Sequence, residues 1–394
     1  MSATHPTFFR SATIGGRQVD LQVADGRIAA VGPDLDPPAD AVVEDLGGAV
    51  VVPGLVDAHA HLDKTLWGGP WVPHSAPPGL SGKIHNGRVR RPELGIPNVA
   101  YVTALLAEMV TLGTTHVRSH VDVDPDVGLG SVEAVRQAVA NLDGRITAEL
   151  VAFPQTGMLI SPGTAELMES ALAIGVEHVG GIDPAGLDRD PVRHLDAIFG
   201  MAGRHGAGVD IHLHDGGSLG IFQYELIIAR ARALGMAGKV TISHGFALSD
   251  ADAVTRARLI DGLADAGVSL TTVAPTKVLP LKDLVLAGVP VGLGNDGIRD
   301  LWSPWGTGDM VERAMFQAQN SGFSHDEDIA LAVDAATYGG ARVCGLDRYG
   351  LAVGDVADFV AIPGRNAAEV VALRPARSVV VKAGRVVARN GQLV

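Results

Sequence analysis

The chain has 394 residues, 47% hydrophobic and 19% charged, which describes a folded protein of one large domain or two ordinary ones. A formal net charge of −13 without any basic run argues against nucleic-acid and anionic-membrane partners, and no apolar run approaches the roughly 20 residues that span a bilayer. The N-terminal MSATHPTFFRSATIGG has no basic segment ahead of an apolar core, and Cys344 is the single cysteine, so no intrachain disulfide forms and a cytoplasmic location is expected.

Residues 7–52 read as short strands joined by turns, with RQVDLQVADGRIAAVG alternating apolar and polar positions about Asp25-Gly26. The run VVPGLVDAHAH follows as an apolar strand that ends in His59 and His61, which period two places on one face. Residues 65–95 are rich in Gly, Pro and Trp and are expected to form a long loop of the kind that walls a site. Within it Arg88, Arg90 and Arg91 are expected to be exposed solubilising charge rather than anion contacts.

From there helical periods such as NVAYVTALLAEMVTLG, TAELMESALAIG and DAVTRARLIDGLADAG alternate with apolar runs. Those runs are THVRSHVDV, ITAELVAF, EHVGGID, GVDIHLH, KVTISH, VSLTTVA and VPVGLGND, which with the first strand make eight. Continuous apolar strands separated by helices predict a buried parallel sheet, here a distorted (β/α)8 TIM barrel over residues 53–349. An open doubly wound sheet is the alternative, but it would more often open with a GxGxxG loop, which is absent after the first strand. The C-terminal ADFVAIPG and ARSVVVKAGRVVARNGQLV repeat the N-terminal texture, with turns at Ala383-Gly384 and Asn390-Gly391. Residues 1–52 plus 350–394 are therefore expected to form a small β-sandwich domain from both termini.

Polar side chains stand at the C-terminal ends of these strands, where a barrel keeps its chemistry: His59, His61, His120, Gln155, Asp183, His212, His214, His244 and Asp296. A lone histidine such as His120 or His178 is more often a hydrogen-bonded core residue. A whole set converging on one rim would be unfavourable if left unpaired. Three imidazoles and a carboxylate suit one divalent transition metal, Zn²⁺ or Fe²⁺, with a position open for water whose pKa falls to about 7. His244, Asp215, His214 and Lys64 are candidates to move protons, and the site is expected to be hydrolytic.

These residues resemble the amidohydrolase superfamily, whose motif is His-x-His after the first strand followed by further histidines and an aspartate, here His59, His61, His212, His244 and Asp296. Within it the chain resembles the cytosine deaminase branch, through THVRSHVDVD, AFPQTGMLISPG and VGLGNDGIRDLWSPWGTGDM. Two positions depart from that branch. Asp215 stands where it has a glutamate, and Gly297 where it has an acid after the metal aspartate. Lys64 in HAHLDK, His214 in HLH and the segment GGIDP instead resemble the N-isopropylammelide isopropylaminohydrolase type.

The resemblance implies a mononuclear site with His59, His61, His212 and Asp296 as ligands. It implies His244 and Asp296 handling the water, Asp215 or His214 protonating the leaving nitrogen, and Gln155, Lys64, Asp183 and Trp302 contacting substrate. Asp63 is expected to be structural, and Lys64 has a solvated surface position as its alternative. Trp67, Trp71, Trp302 and Trp305 are all four tryptophans and lie in two rim loops, where flat walls suit a planar ring. The expected activity is removal of an amino or alkylamino group from a small nitrogen heterocycle, cytosine-like or triazine. Hydrolysis of another cyclic or exocyclic amide is an alternative, as is a non-catalytic barrel with an assembly role. A homo-oligomer is compatible with either.

Overall fold

The computed structural model of the protein describes residues 6–274 and 277–394. Eight parallel strands follow one another in sheet order: Leu55–Ala60, Thr114–Asp122, Thr147–Phe153, His178–Ile182, Gly208–Leu213, Val240–His244, Val268–Thr272 and Val291–Leu293. The ring closes between the last and the first. The Asp296 amide donates to His59 O at 2.9 Å, and the His61 amide to Asp296 O at 3.2 Å. Register breaks in the first strand, between Leu55 and Val56 and between Asp57 and Ala60, are where the barrel departs from regularity.

Every residue of the first, second, fifth, sixth, seventh and eighth strands is buried, which is why they read as unbroken apolar runs rather than alternations. Helices cover the outside, and their starts are set by side chains. Asn98 caps Val99–Thr111, Asp190 with Pro191 opens Pro191–His205, and Asp252 caps Ala253–Ala266. No single helix among the described residues is long and apolar enough to cross a membrane.

A second sheet of nine strands joins the two ends of the chain. Val50–Pro53 pairs antiparallel with Phe359–Ile362 and then runs straight into the first barrel strand. The sheet has its own hydrophobic core, in which Phe9 meets Phe359 edge to face at 4.9 Å. Its hairpins turn at Asp25-Gly26, Ala383-Gly384 and Asn390-Gly391, each with both residues at positive φ, as two-residue hairpin turns require.

The stretch expected as one long loop holds a helix, Leu80–Leu94. Gly82, Gly87 and Pro92 within it are poor helix formers, so local propensity hides the element. Packing decides it: Ile84, Asn86, Gly87 and Arg91 are buried, and Gly87 sits against Trp302, whose Nε1 would be 3.6 Å from a Cβ there.

Close packing at the barrel seam has a testable consequence. A Cβ on Gly294 would stand 2.5 Å from both the Cβ and the carbonyl oxygen of His59. Gly294→Ala is expected to destabilise the fold by about 1–3 kcal/mol and to disturb His59, read as a lower urea midpoint together with a loss of metal affinity. An unchanged midpoint would show that the seam can relax.

Candidate active site

The C-terminal ends of the strands bring four buried histidines, His59, His61, His212 and His244, together with the half-exposed Asp296. The His59 ring lies 4.6 Å from His212 and 4.8 Å from His244, and His61 lies 5.2 Å from His212, centroid to centroid. Nε2 of His61 is 3.1 Å from Nε2 of His212 and 3.3 Å from Asp296 Oδ1, and His59 Nε2 is 3.6 Å from the same oxygen. An ion roughly 2.0–2.1 Å from four tetrahedral donors separates them by about 3.4 Å, so these atoms stand at ligand spacing. His59, His61 and His212 form one group able to hold a metal, and His59, His244 and Asp296 a second that shares His59.

The hydrogen bonds beneath the cluster fix how His59 presents itself. Ser243 donates its hydroxyl to Asp210 Oδ1 at 2.6 Å, so its oxygen accepts from His59 Nδ1 at 2.9 Å. His59 then carries its proton on Nδ1, and its Nε2 lone pair is buried with no hydrogen-bond partner among the described residues. An imidazole held in this way through its other nitrogen is the usual arrangement around a protein-bound metal. The donor set therefore fits a single divalent ion.

Burial, then neighbouring imidazoles, push His212 and His244 well below the ordinary histidine range; for His61 the second cause is Lys64. Burial alone would raise the Asp296 carboxyl, but His59 and His61 hold it well below the usual range. Asp183, His244 and Asp296 all have positive φ, at 36°, 68° and 63°. Such backbone costs about 1–3 kcal/mol for each non-glycine residue and concentrates at functional sites.

Lys64 is not a solvated lysine. It is buried, with Nζ 2.9 Å from Asp122 Oδ1 and 3.1 Å from His61 Nδ1, and it donates to Gln155 Oε1. Phe153 and Trp302 flank it, with ring centroids 5.0 and 5.7 Å from Nζ. Asp63 accepts the Asp122 amide and supports this arrangement. Arg91 is buried rather than exposed, because it pairs with Asp122 at 3.1 Å and Asp124 at 3.0 Å. Arg88 stays near the surface on Asp126.

Two of the expected site residues have partners within the fold. The Asp183 carboxylate accepts the amides of His214 and Asp215 and the Nδ1 of His214 at 2.8 Å. It orients His214. Burial would lower His214, but the Asp183 hydrogen bond raises it. Asp215 is held through one oxygen, Oδ2, which accepts the Gly186 amide at 2.8 Å and the Gln223 side chain at 2.9 Å.

His120 lies one layer in, 4.3 Å from the His59 ring, with Nε2 3.3 Å from Asp210. His178 begins its strand rather than ending it and pairs with Glu149, at the far end of the barrel.

The sequence reading missed the residues that hold these groups. Asp57 accepts Asn295 Nδ2 at 2.7 Å and the amides of His59 and Asn295, which ties the first strand to the loop carrying Asp296. Asp210 does the same for the fifth and sixth strands. Parity was the available signal: DAHAH and DIHLH both place an aspartate on the histidine face, one layer deeper.

A cleft of about 830 Å³ opens above the cluster, lined by His61, Lys64, Gln155, Asp296 and Asp300 on its polar side. Trp302, Trp305 and Phe316 supply aromatic wall, whereas Trp67 and Trp71 pack around Arg299 outside it.

A parallel eight-strand barrel with this histidine–aspartate cluster at its C-terminal rim defines a hydrolase of the amidohydrolase type, and the chain belongs to the amidohydrolase family, whose model matches residues 97–388. It is 31% identical over 357 residues to N-isopropylammelide isopropyl amidohydrolase of Pseudomonas sp. (strain ADP), covering 89% of each chain. Its fold matches N-isopropylammelide isopropylaminohydrolase from Burkholderia multivorans with a TM-score of 0.95 at 42% identity, covering 99% of this chain and 100% of the other. It also matches 5-methylcytosine deaminase from Klebsiella pneumoniae, with a TM-score of 0.84 at 25% identity over 97% of both chains.

Proposed function

We propose that the protein hydrolyses a C–N bond to remove an alkylamino or amino group from an oxo-substituted nitrogen heterocycle, a triazine in preference to cytosine. The observation that carries this reading is the donor cluster His59, His61, His212 and Asp296 opening onto a cleft with Lys64 and Gln155 on its wall. A divalent ion there, Zn²⁺ or Fe²⁺ by donor type, supplies the Lewis acidity that makes water a nucleophile near neutrality.

The chain's own residues do the rest. Neither ring nitrogen of buried His244 has a hydrogen-bond partner among the described residues, which leaves it free to take the proton released by the attacking water, with Asp296 beside it. His214, its ring 4.3 Å from that of His244, is locked through Nδ1 by Asp183 and delivers a proton to the leaving nitrogen from Nε2. Lys64 and Gln155 hold an exocyclic oxygen, and Trp302 covers the ring face. The triazine preference rests on the Asp183-held His214 beside His244 and on the relatives at 31% and 42% identity.

Purified, metal-analysed protein should release alkylamine from an N-alkylamino-dioxotriazine and much less ammonia from cytosine. Efficient cytosine turnover would reverse the preference, and silence across cytosine, isocytosine, aminotriazines and alkylaminotriazines with metal bound would reject the heterocycle reading. Asp183→Asn is expected to lower kcat by about 10²–10⁴-fold, since it releases His214 from its fixed tautomer, with KM nearly unchanged; a normal kcat would remove His214 from the proton path.

A further inference from the structure

Asp300 is nearly buried yet lines the cleft beside Lys64, Asp296 and Trp302, and none of the roles assigned above uses it. Its two oxygens are in different situations. Oδ1 accepts the amides of Trp302 at 2.7 Å and Ser303 at 2.8 Å, a turn-closing role that either Asp or Asn fills. Oδ2 accepts from no donor among the described residues. It stands 2.0 Å from where a Cβ on Gly297 would be, so the glycine after Asp296 is what gives this oxygen its place. A carboxylate oxygen on a nearly buried residue, with no donor from the described residues, takes its hydrogen bonds from whatever fills the cleft. Lys64, on the same wall, has the opposite polarity.

We infer that Asp300 Oδ2 is a substrate acceptor that takes a hydrogen bond from an N–H of the bound ring. Lys64 meanwhile donates to an exocyclic oxygen. Together they select rings that present N–H and C=O groups over rings whose nitrogens are fully alkylated. This rests on the heterocycle reading, and it assigns the specificity of that site to a residue outside the metal cluster.

The test uses metal-loaded protein and two product-like probes, uracil and 1,3-dimethyluracil, with binding followed by calorimetry. Asp300→Asn keeps Oδ1 on its two amides and replaces Oδ2 with an NH₂ donor, so the loop turn persists. The expected result is roughly tenfold or greater weakening of uracil in Asp300→Asn, the loss of one hydrogen bond to a charged acceptor. Dimethyluracil should bind weakly and alike to both proteins, so that substitution and methylation are not additive.

Equal uracil binding by the two proteins would overturn the inference, as would a wild type that does not distinguish the two probes. A wild type that shows this discrimination but releases no amine from any aminoheterocycle would leave Asp300 in place and reject the hydrolytic reading instead.

Discussion

His61→Ala is expected to abolish turnover, a loss exceeding the roughly 10²–10⁴-fold that a positioned acid–base group contributes. Its Nε2 sits between His212 Nε2 and Asp296 Oδ1, and its Nδ1 faces Lys64, so one truncation removes a donor and frees the lysine. The barrel should stay folded, because the ring stands on the rim and its neighbours keep their own supports: Ser243 for His59 and Asp122 for Lys64. Metal content and amine release, measured on one preparation with a normal far-UV spectrum, are the readouts. His178→Ala is the matched control, since that residue pairs with Glu149 at the other end of the barrel and should leave both readouts unchanged. Full activity with one metal per chain in His61→Ala would take His61 out of the site.

Arg118→Met should give the largest loss of stability. The guanidinium is buried, with Nε on Glu149 at 2.5 Å, one terminal nitrogen on Asp210 and Thr241 at 3.0 Å each, and the other on the Val343 carbonyl at 2.9 Å. Removing it leaves two buried carboxylates without their main partner, which costs about 3–5 kcal/mol. Because Asp210 also receives the Ser243 hydroxyl that orients His59, metal affinity should fall by about 10–100-fold as well.

The loss should depend on pH in a defined sense. Burial alone would raise both carboxyls, but Arg118 and His178 around Glu149, and His120 and Arg118 around Asp210, hold them well below the ordinary range. A depressed carboxyl stabilises the fold above its unfolded pKa, about 3.9–4.3 here, and that stability is lost as pH falls toward the folded value. Urea midpoints of wild type and Arg118→Met should therefore differ most at neutral pH and converge below about pH 4. A gap that persists in acid would mean the arginine acts by packing.

The amino-acid sequence carried the barrel and the cluster at its mouth, for a reason that lies in strand geometry. Parallel strands buried on both faces are apolar nearly throughout, so eight such runs announce themselves, and the polar residues at their C-terminal ends stand out as a set where a barrel keeps its chemistry. Period two then aligns His59 with His61 and His212 with His214 without any three-dimensional information. The hairpins of the terminal sheet were legible in the same way, because Asp25-Gly26 and Asn390-Gly391 are among the few pairs that accept positive φ twice.

What the sequence could not carry was partner choice. Asp183 and Asp215 both follow strand ends, yet the fold directs one to His214 and the other to Gly186 and Gln223. Arg91 looks like a surface cation, and a surface position stays open for Lys64, until Asp122, from a different strand, draws both inside. The helix Leu80–Leu94 exists against its own propensities because the cleft wall packs on it. Strand pattern and turn chemistry are local, set by residues a few positions apart. The pairing of buried charges is decided between residues tens to hundreds of positions apart, as with Arg118 and the Val343 carbonyl, and becomes definite only when the barrel closes.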